Sequence, residues 1–80
     1  MMYYLHVALK GNLYWFRFDY ELQAGCLAED ATSAEAFEIN NAVKWRHWIL
    51  KTFRGSSVLM VEANSRRIIP PHIYKLMNIK

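Results

Sequence analysis

Eighty residues make a single domain, 1–80, with a thin margin, because so short a chain buries only about 60–65% of the surface its unfolded form exposes. Twelve aromatic residues supply the needed burial, while a lone cysteine, Cys26, excludes an intramolecular disulfide and reads as a structural thiol in a reducing compartment. The net charge of +3 hides an asymmetry: residues 1–43 sum to −4 and residues 44–80 to +7, which invites a nucleic acid or an acidic protein unless the halves attract each other or simply face solvent.

The chain opens with an expected β-hairpin. Gly11-Asn12 suits a two-residue turn with glycine at its first central position. That turn sets Leu9 opposite Tyr14, Val7 opposite Phe16, Leu5 opposite Phe18 and Tyr3 opposite Tyr20. One face of the hairpin is then almost wholly apolar and should be core. The other carries Tyr4, His6, Ala8, Trp15, Arg17 and Asp19 and should be partly wet, with Trp15 its largest apolar member.

Glu21 to Ala31 reads two ways. Ala24-Gly25 breaks the strand pattern, and Cys26-Leu27-Ala28-Glu29 is either a short third strand or a loop. Thr32-Ser33-Ala34-Glu35 then fits a capping box, which starts a helix predicted to run from Thr32 to Arg54 and to stop at Gly55. Glu35 and Glu38 suit its positive end, Lys51 and Arg54 its negative end.

On a helical wheel Ala36, Ile39, Ala42, Val43, Ile49, Leu50 and Phe53 form the core stripe. Arg46 falls inside that arc, either with its stem buried and its head at the edge, or paired with Asp19 or Glu21. Phe37, Asn41, Lys44, Trp48 and Lys51 lie opposite, and Trp45 sits on the border. Val58 to Glu62 is the next strand, Ala63-Asn64-Ser65 a turn, and Arg66 to Ile69 a returning strand stopped by Pro70-Pro71. His72 to Met77 forms a short helical turn or an edge segment. The expected fold is α+β: two β-hairpins in an antiparallel sheet packed on one long helix, ββαββ.

Chemistry is sparse. His6, His47 and His72 lie on different elements, without metal-site spacing, and Cys26 has no partner cysteine. Nothing in the sequence places Cys26 beside His47 as a nucleophile pair, and Glu29-Asp30 reads as a solvated turn. With only three glycines there is no phosphate-cradling loop, so neither an enzyme nor a cofactor is expected. The first two strands lack the basic-glycine-aromatic pattern of an RNA-recognition sheet, and a single long helix excludes a helix-turn-helix. No apolar run approaches the ~20 residues of a membrane span. Met1-Met2-Tyr3-Tyr4-Leu5-His6 lacks a signal peptide's basic start, so the expected location is the cytoplasm and no membrane partner is expected.

Protein binding fits the helix better. An aromatic stripe of Phe37 and Trp48 flanked by Asn41, Lys44 and Lys51 has the make-up of an interface anchor with a polar rim. The competing account covers Phe37 and Trp48 with the tail residues Ile73, Tyr74 and Met77, and homodimerisation through this face is a further outcome.

The layout resembles phage-encoded inhibitors of host machinery, including type I anti-CRISPR proteins. The similar part runs from Ala31-Thr32-Ser33-Ala34-Glu35 through the helix to Val58–Glu62, then Arg67-Ile68-Ile69-Pro70 and the tail to Lys80, and the similarity is one of architecture with no catalytic residues to carry over. It implies a protein or nucleoprotein partner in the host cytoplasm, such as a CRISPR surveillance complex. Ala24-Gly25-Cys26-Leu27 followed by Thr32-Ser33-Ala34-Glu35-Ala36 also resembles HicB-type antitoxins, without the DNA-binding extension those usually carry. The alternative function is thus nucleic-acid binding through the basic C-terminal half, with Lys44, Arg46, Lys51, Arg54, Arg66 and Arg67 as phosphate contacts.

Overall fold

A computed structural model describes residues 1–70 and Ile73. The chain is α+β, an antiparallel sheet with one helix on it. Strands β1 (Met2–Leu9) and β2 (Asn12–Asp19) form the first hairpin. Strand β3 (Ala24–Ala28), a 3-10 turn (Ala31–Ser33), the short strand β4 (Phe37–Glu38) and helix α1 (Ile39–Thr52) follow. Strands β5 (Ser57–Glu62) and β6 (Ile68–Ile69) end the described fold. The sheet order is β3-β2-β1-β5-β6, with β4 also paired to β1. Two hairpins and one helix appear in the expected order, with shifted bounds, and β3 and β4 expand the ββαββ outline.

The first turn uses Lys10 and Gly11, at φ 51° and 80°, so that Leu9 faces Asn12 and Val7 faces Tyr14. Two successive positive φ values match the I′ type in place of the expected II′ turn at Gly11-Asn12, and the twist of either type follows the strands. The register moves by two residues, and an even shift keeps every side chain on its face. Tyr3, Leu5, Val7 and Phe16 are accordingly buried, while Tyr20, expected in the core, is 68% exposed.

Gly25 does not break the sheet. It pairs with Phe18 within β3, and a Cβ there would lie 2.7 Å from the Phe16 ring and 3.0 Å from Trp48. The glycine is what lets two large rings approach the sheet edge on the helix side.

The helix start is also corrected. The Asp30 carboxylate accepts the Thr32 N–H at 3.0 Å and closes a single 3-10 turn, so Thr32 caps nothing. Glu35 is drawn into the sheet instead. β2 pairs with β1 over residues 12–15, whereas the first residues of β1 pair with β4, Met2 with Glu38 and Tyr3 with Phe37. Glu35 fills the gap between the diverging strands: its N–H donates to the Phe16 carbonyl at 3.3 Å and its Oε1 accepts the Phe18 N–H at 2.9 Å. A carboxylate thus serves a strand donor that a neighbouring strand would otherwise take, because a buried N–H is costly to leave unpaired.

Helix α1 therefore begins at Ile39, with Glu38 as an N-cap that makes no side-chain bond. It ends at Thr52, two residues before the expected Arg54, with Lys51 in its last turn, the Phe53 N–H on the Ile49 carbonyl, and Gly55 at φ 84°. The buried core joins Ala42 and Ile49 of the helix to Leu5, Val7, Phe16, Val58 and Met60 of the sheet. Trp45 and Trp48 pack against it from one flank, so the inner face is rotated toward the tryptophans relative to the wheel. The returning strand is Ile68–Ile69 only, since Arg66 adopts φ 61° in the turn. The expected turn at His72–Met77 lies outside the described residues apart from Ile73, whose N–H donates to the Pro70 carbonyl at 3.0 Å.

Candidate functional site

Phe37 leaves the expected surface stripe. It is 7% exposed, sits on β4 beside Tyr3, and its ring lies 5.8 Å from that of Phe16. Starting the helix at Ile39 removes it from the helical wheel and makes it core. The other expected residues stay on the helix: Asn41, Lys44 and Lys51 are exposed, and Trp48 is half-buried.

Trp48 is not free of the core. Its ring centroid is 6.0 Å from that of Phe16 and 6.0 Å from that of Phe53, and it meets Trp45 edge-on at 5.4 Å and 87°. Ile73 packs against the core cluster, and Tyr74 and Met77 lie outside the described residues.

Asn41, Lys44 and Trp48 converge with Trp45 around a shallow depression of about 320 Å³. The two indole rings make an apolar floor, and the amide and ammonium stand at its rim. Trp45 and Asn41 also border a second depression of about 420 Å³, which continues past Phe18 and Tyr20 to Glu35 and Glu38. Together they form one groove along the flank of α1, basic at the Lys44 end and acidic at the other. Lys51, one turn beyond Trp48, is exposed on α1 and lines neither depression. Trp45 is the member that the wheel left on the border.

At the acidic end, Glu35 Oε2 accepts the Tyr20 O–H at 3.2 Å. That bond, and the negative charge behind it, raise the Tyr20 phenol above its ordinary value. Asp19 is held below the usual carboxylate range, first by the Leu22 N–H and then by that of Glu21, with Arg17 at 3.6 Å. The Asp30 carboxyl is likewise lowered by the Thr32 N–H. Each of these groups has a structural partner.

Cys26 and His47 stand on opposite sides of the sheet. Cys26 is cross-strand from Arg17 on the face away from the helix, and its sulfur accepts from Arg17 Nη1 at 3.3 Å. His47 is exposed on α1. Among the described residues no three His, Cys, Asp or Glu side chains gather as a metal site would require, and no helix is long and apolar enough to cross a membrane. Compared with protein-family models, curated proteins and solved structures, the chain finds no match.

Proposed function

We propose that this chain is a non-enzymatic binding protein that inhibits or adapts a host protein or nucleoprotein complex by occupying its surface. The observation that carries this reading is the groove of α1, with Trp45 and Trp48 as floor and Asn41 and Lys44 as rim. A rigid aromatic floor inside a polar rim is where binding energy concentrates at protein interfaces. The resemblance to type I anti-CRISPR proteins supplies the target class: a CRISPR surveillance complex of the Cascade type in the host cytoplasm.

The contact residues are Asn41, Lys44, Trp48 and Lys51. Phe37 supports the groove from beneath. Trp48→Ala is a poor probe, because its contacts with Phe16 and Phe53 tie it to the core. The double variant Asn41→Arg, Lys44→Glu changes the rim alone, at two exposed positions.

The test is affinity capture from the host with the tagged protein, with and without nuclease. The wild type should retain a protein partner after nuclease, and the double variant, melting at the same temperature, should lose it with an affinity drop of at least about tenfold. If the rim variant captures the same partner equally well, the groove is not the site. If nuclease releases everything, the partner is nucleic acid and protein binding is wrong.

A further inference from the structure

The sheet has a second face. Helix α1 covers the side that holds Leu5, Val7, Phe16 and Met60, and among the described residues no element covers the other. That open face is not a plain solvated surface. The His6 and Trp15 rings, cross-strand partners, lie parallel at 4.0 Å and 4°. Tyr4 meets Trp15 edge-on at 6.0 Å and 83°. The Arg66 guanidinium lies over the Tyr4 ring, 5.5 Å from its centroid. Two residues beyond Trp15 on the same face stands Arg17, its side chain 37% exposed. An aromatic run of Tyr4, Trp15 and His6 thus spans β1 and β2, with Arg66 over Tyr4 and Arg17 next along β2 from Trp15.

We propose that this face binds single-stranded nucleic acid, its bases stacking on Tyr4, His6 and Trp15 and its phosphates meeting Arg17 and Arg66. Aromatic side chains accept any base through its π-face, and guanidinium groups beside them track the backbone. Duplex does not fit, because its bases are already stacked on one another.

Charge points the same way. Among the strand residues that the register puts on this face the carboxylates are Asp19, occupied by the N–H groups of Glu21 and Leu22 and by Arg17, and Glu38, beside Met2 on β4. From Tyr4 toward β6 the same row holds Val61 and Ile68, so no acid stands in that row beside the cations. A second copy of this chain laid on the face would instead bury Arg17 and Arg66 against apolar side chains such as Leu59 and Ile68, at the desolvation cost of unpaired charge.

Arg66 supplies an independent sign. It sits at φ 61° in the β5–β6 turn, a conformation that glycine or asparagine adopts more cheaply. Backbone strain of this kind, holding a cation over an aromatic ring, is a mark of sites that do something. The inference stands apart from the groove of α1, since the two surfaces lie on opposite sides of the sheet.

The experiment is fluorescence anisotropy with labelled oligo(dT), oligo(U) and a duplex, each of about 12 nucleotides. It is run at about 50 mM salt and upward, because phosphate contacts weaken steeply with salt. The single strands should bind and the duplex should not compete. Oligo(dT) against oligo(U) tells whether the sugar matters. Trp15→Ala and Arg66→Asn should each weaken binding by about tenfold, and Lys10→Asn, which removes a cation from the first turn and suits its positive φ, should not. Arg66→Asn suits the turn's backbone, so it decides the matter even where Trp15→Ala melts early. Absence of binding at low salt overturns the proposal, as does equal affinity for duplex, or binding unaltered by Arg66→Asn. A dimer seen by light scattering and abolished by Trp15→Ala assigns the face to a second copy and overturns it as well.

Discussion

The two faces of the sheet are built from alternate residues of the same strands, and they solve different problems. On the helix side Leu5, Val7, Phe16 and Met60 are fully buried in the hydrophobic core. On the other side Tyr4, His6, Trp15 and Arg17 are half-buried; the three rings contact one another, and Arg17 donates to the Cys26 sulfur. The first face stabilises the domain by removing apolar surface from water. The second keeps large, polar-tipped side chains ordered while leaving them accessible. Substitution should therefore separate the faces: stability on one, interactions on the other.

The largest expected effect is at Phe16. Its ring is fully buried and touches Phe37, Trp45 and Trp48, so Phe16→Ala should cost about 3–5 kcal/mol. For 80 residues the total stability is on the order of 4–12 kcal/mol, so this variant should be largely unfolded or close to it. Urea melts followed by circular dichroism give the answer. A loss as small as that of an exposed residue would mean the helix does not pack on this face.

Gly25→Ala is the next test, and it probes the edge of the covered face. The added methyl meets the Phe16 ring at 2.7 Å and should destabilise by about 1–3 kcal/mol through overpacking. The neighbouring Cys26→Ala points to the open face and should change stability by no more than about 0.5 kcal/mol. Equal effects at the two positions would erase the distinction between the faces.

The smallest effect belongs to the open face itself. Burial disfavours the charged form of His6 and lowers its pKa below 6.5 in the folded chain. The unfolded chain then takes up a proton first as the pH falls. The contribution is complete above the unfolded value, and stability declines as the pH drops through it toward the lower folded value. His6→Phe keeps a ring against Trp15 and should flatten that part of the pH–stability curve. If the slope between pH 7 and 5 survives in the variant, as read from thermal melts, His6 is not its source.

Much of this arrangement is legible as pattern. The alternation along residues 3–18 separates the two faces correctly even though the turn shifts by two residues, because a period of two tolerates an even slip; Tyr20, beyond the strand, is exposed. Asn41, Lys44 and Trp48 share a helical spacing, and they do border one groove. Phe37 is misplaced for the same reason in reverse: a wheel drawn from Thr32 assigns a helical face to a residue that is in a strand. No periodicity could reveal Arg66 on the open face, since a left-handed turn residue brings it there.

Sequence alone determined the class of fold, the two faces of the hairpin, a helix that stops before Gly55 and a strand over Val58 to Glu62, which the structure begins one residue earlier at Ser57. Each rests on local rules, side-chain period and turn or cap chemistry, that act within a few residues. Tertiary structure decided where the helix begins, that β3 joins the sheet, and which residues line the groove. Those depend on long-range competition: Glu35 is more useful to the unpaired Phe18 N–H than to a capping box, and Gly25 is more useful beneath Phe16 and Trp48 than as a break. A capping box and a broken strand are both locally sound, and both lose to partners distant in sequence that only the folded chain brings within reach.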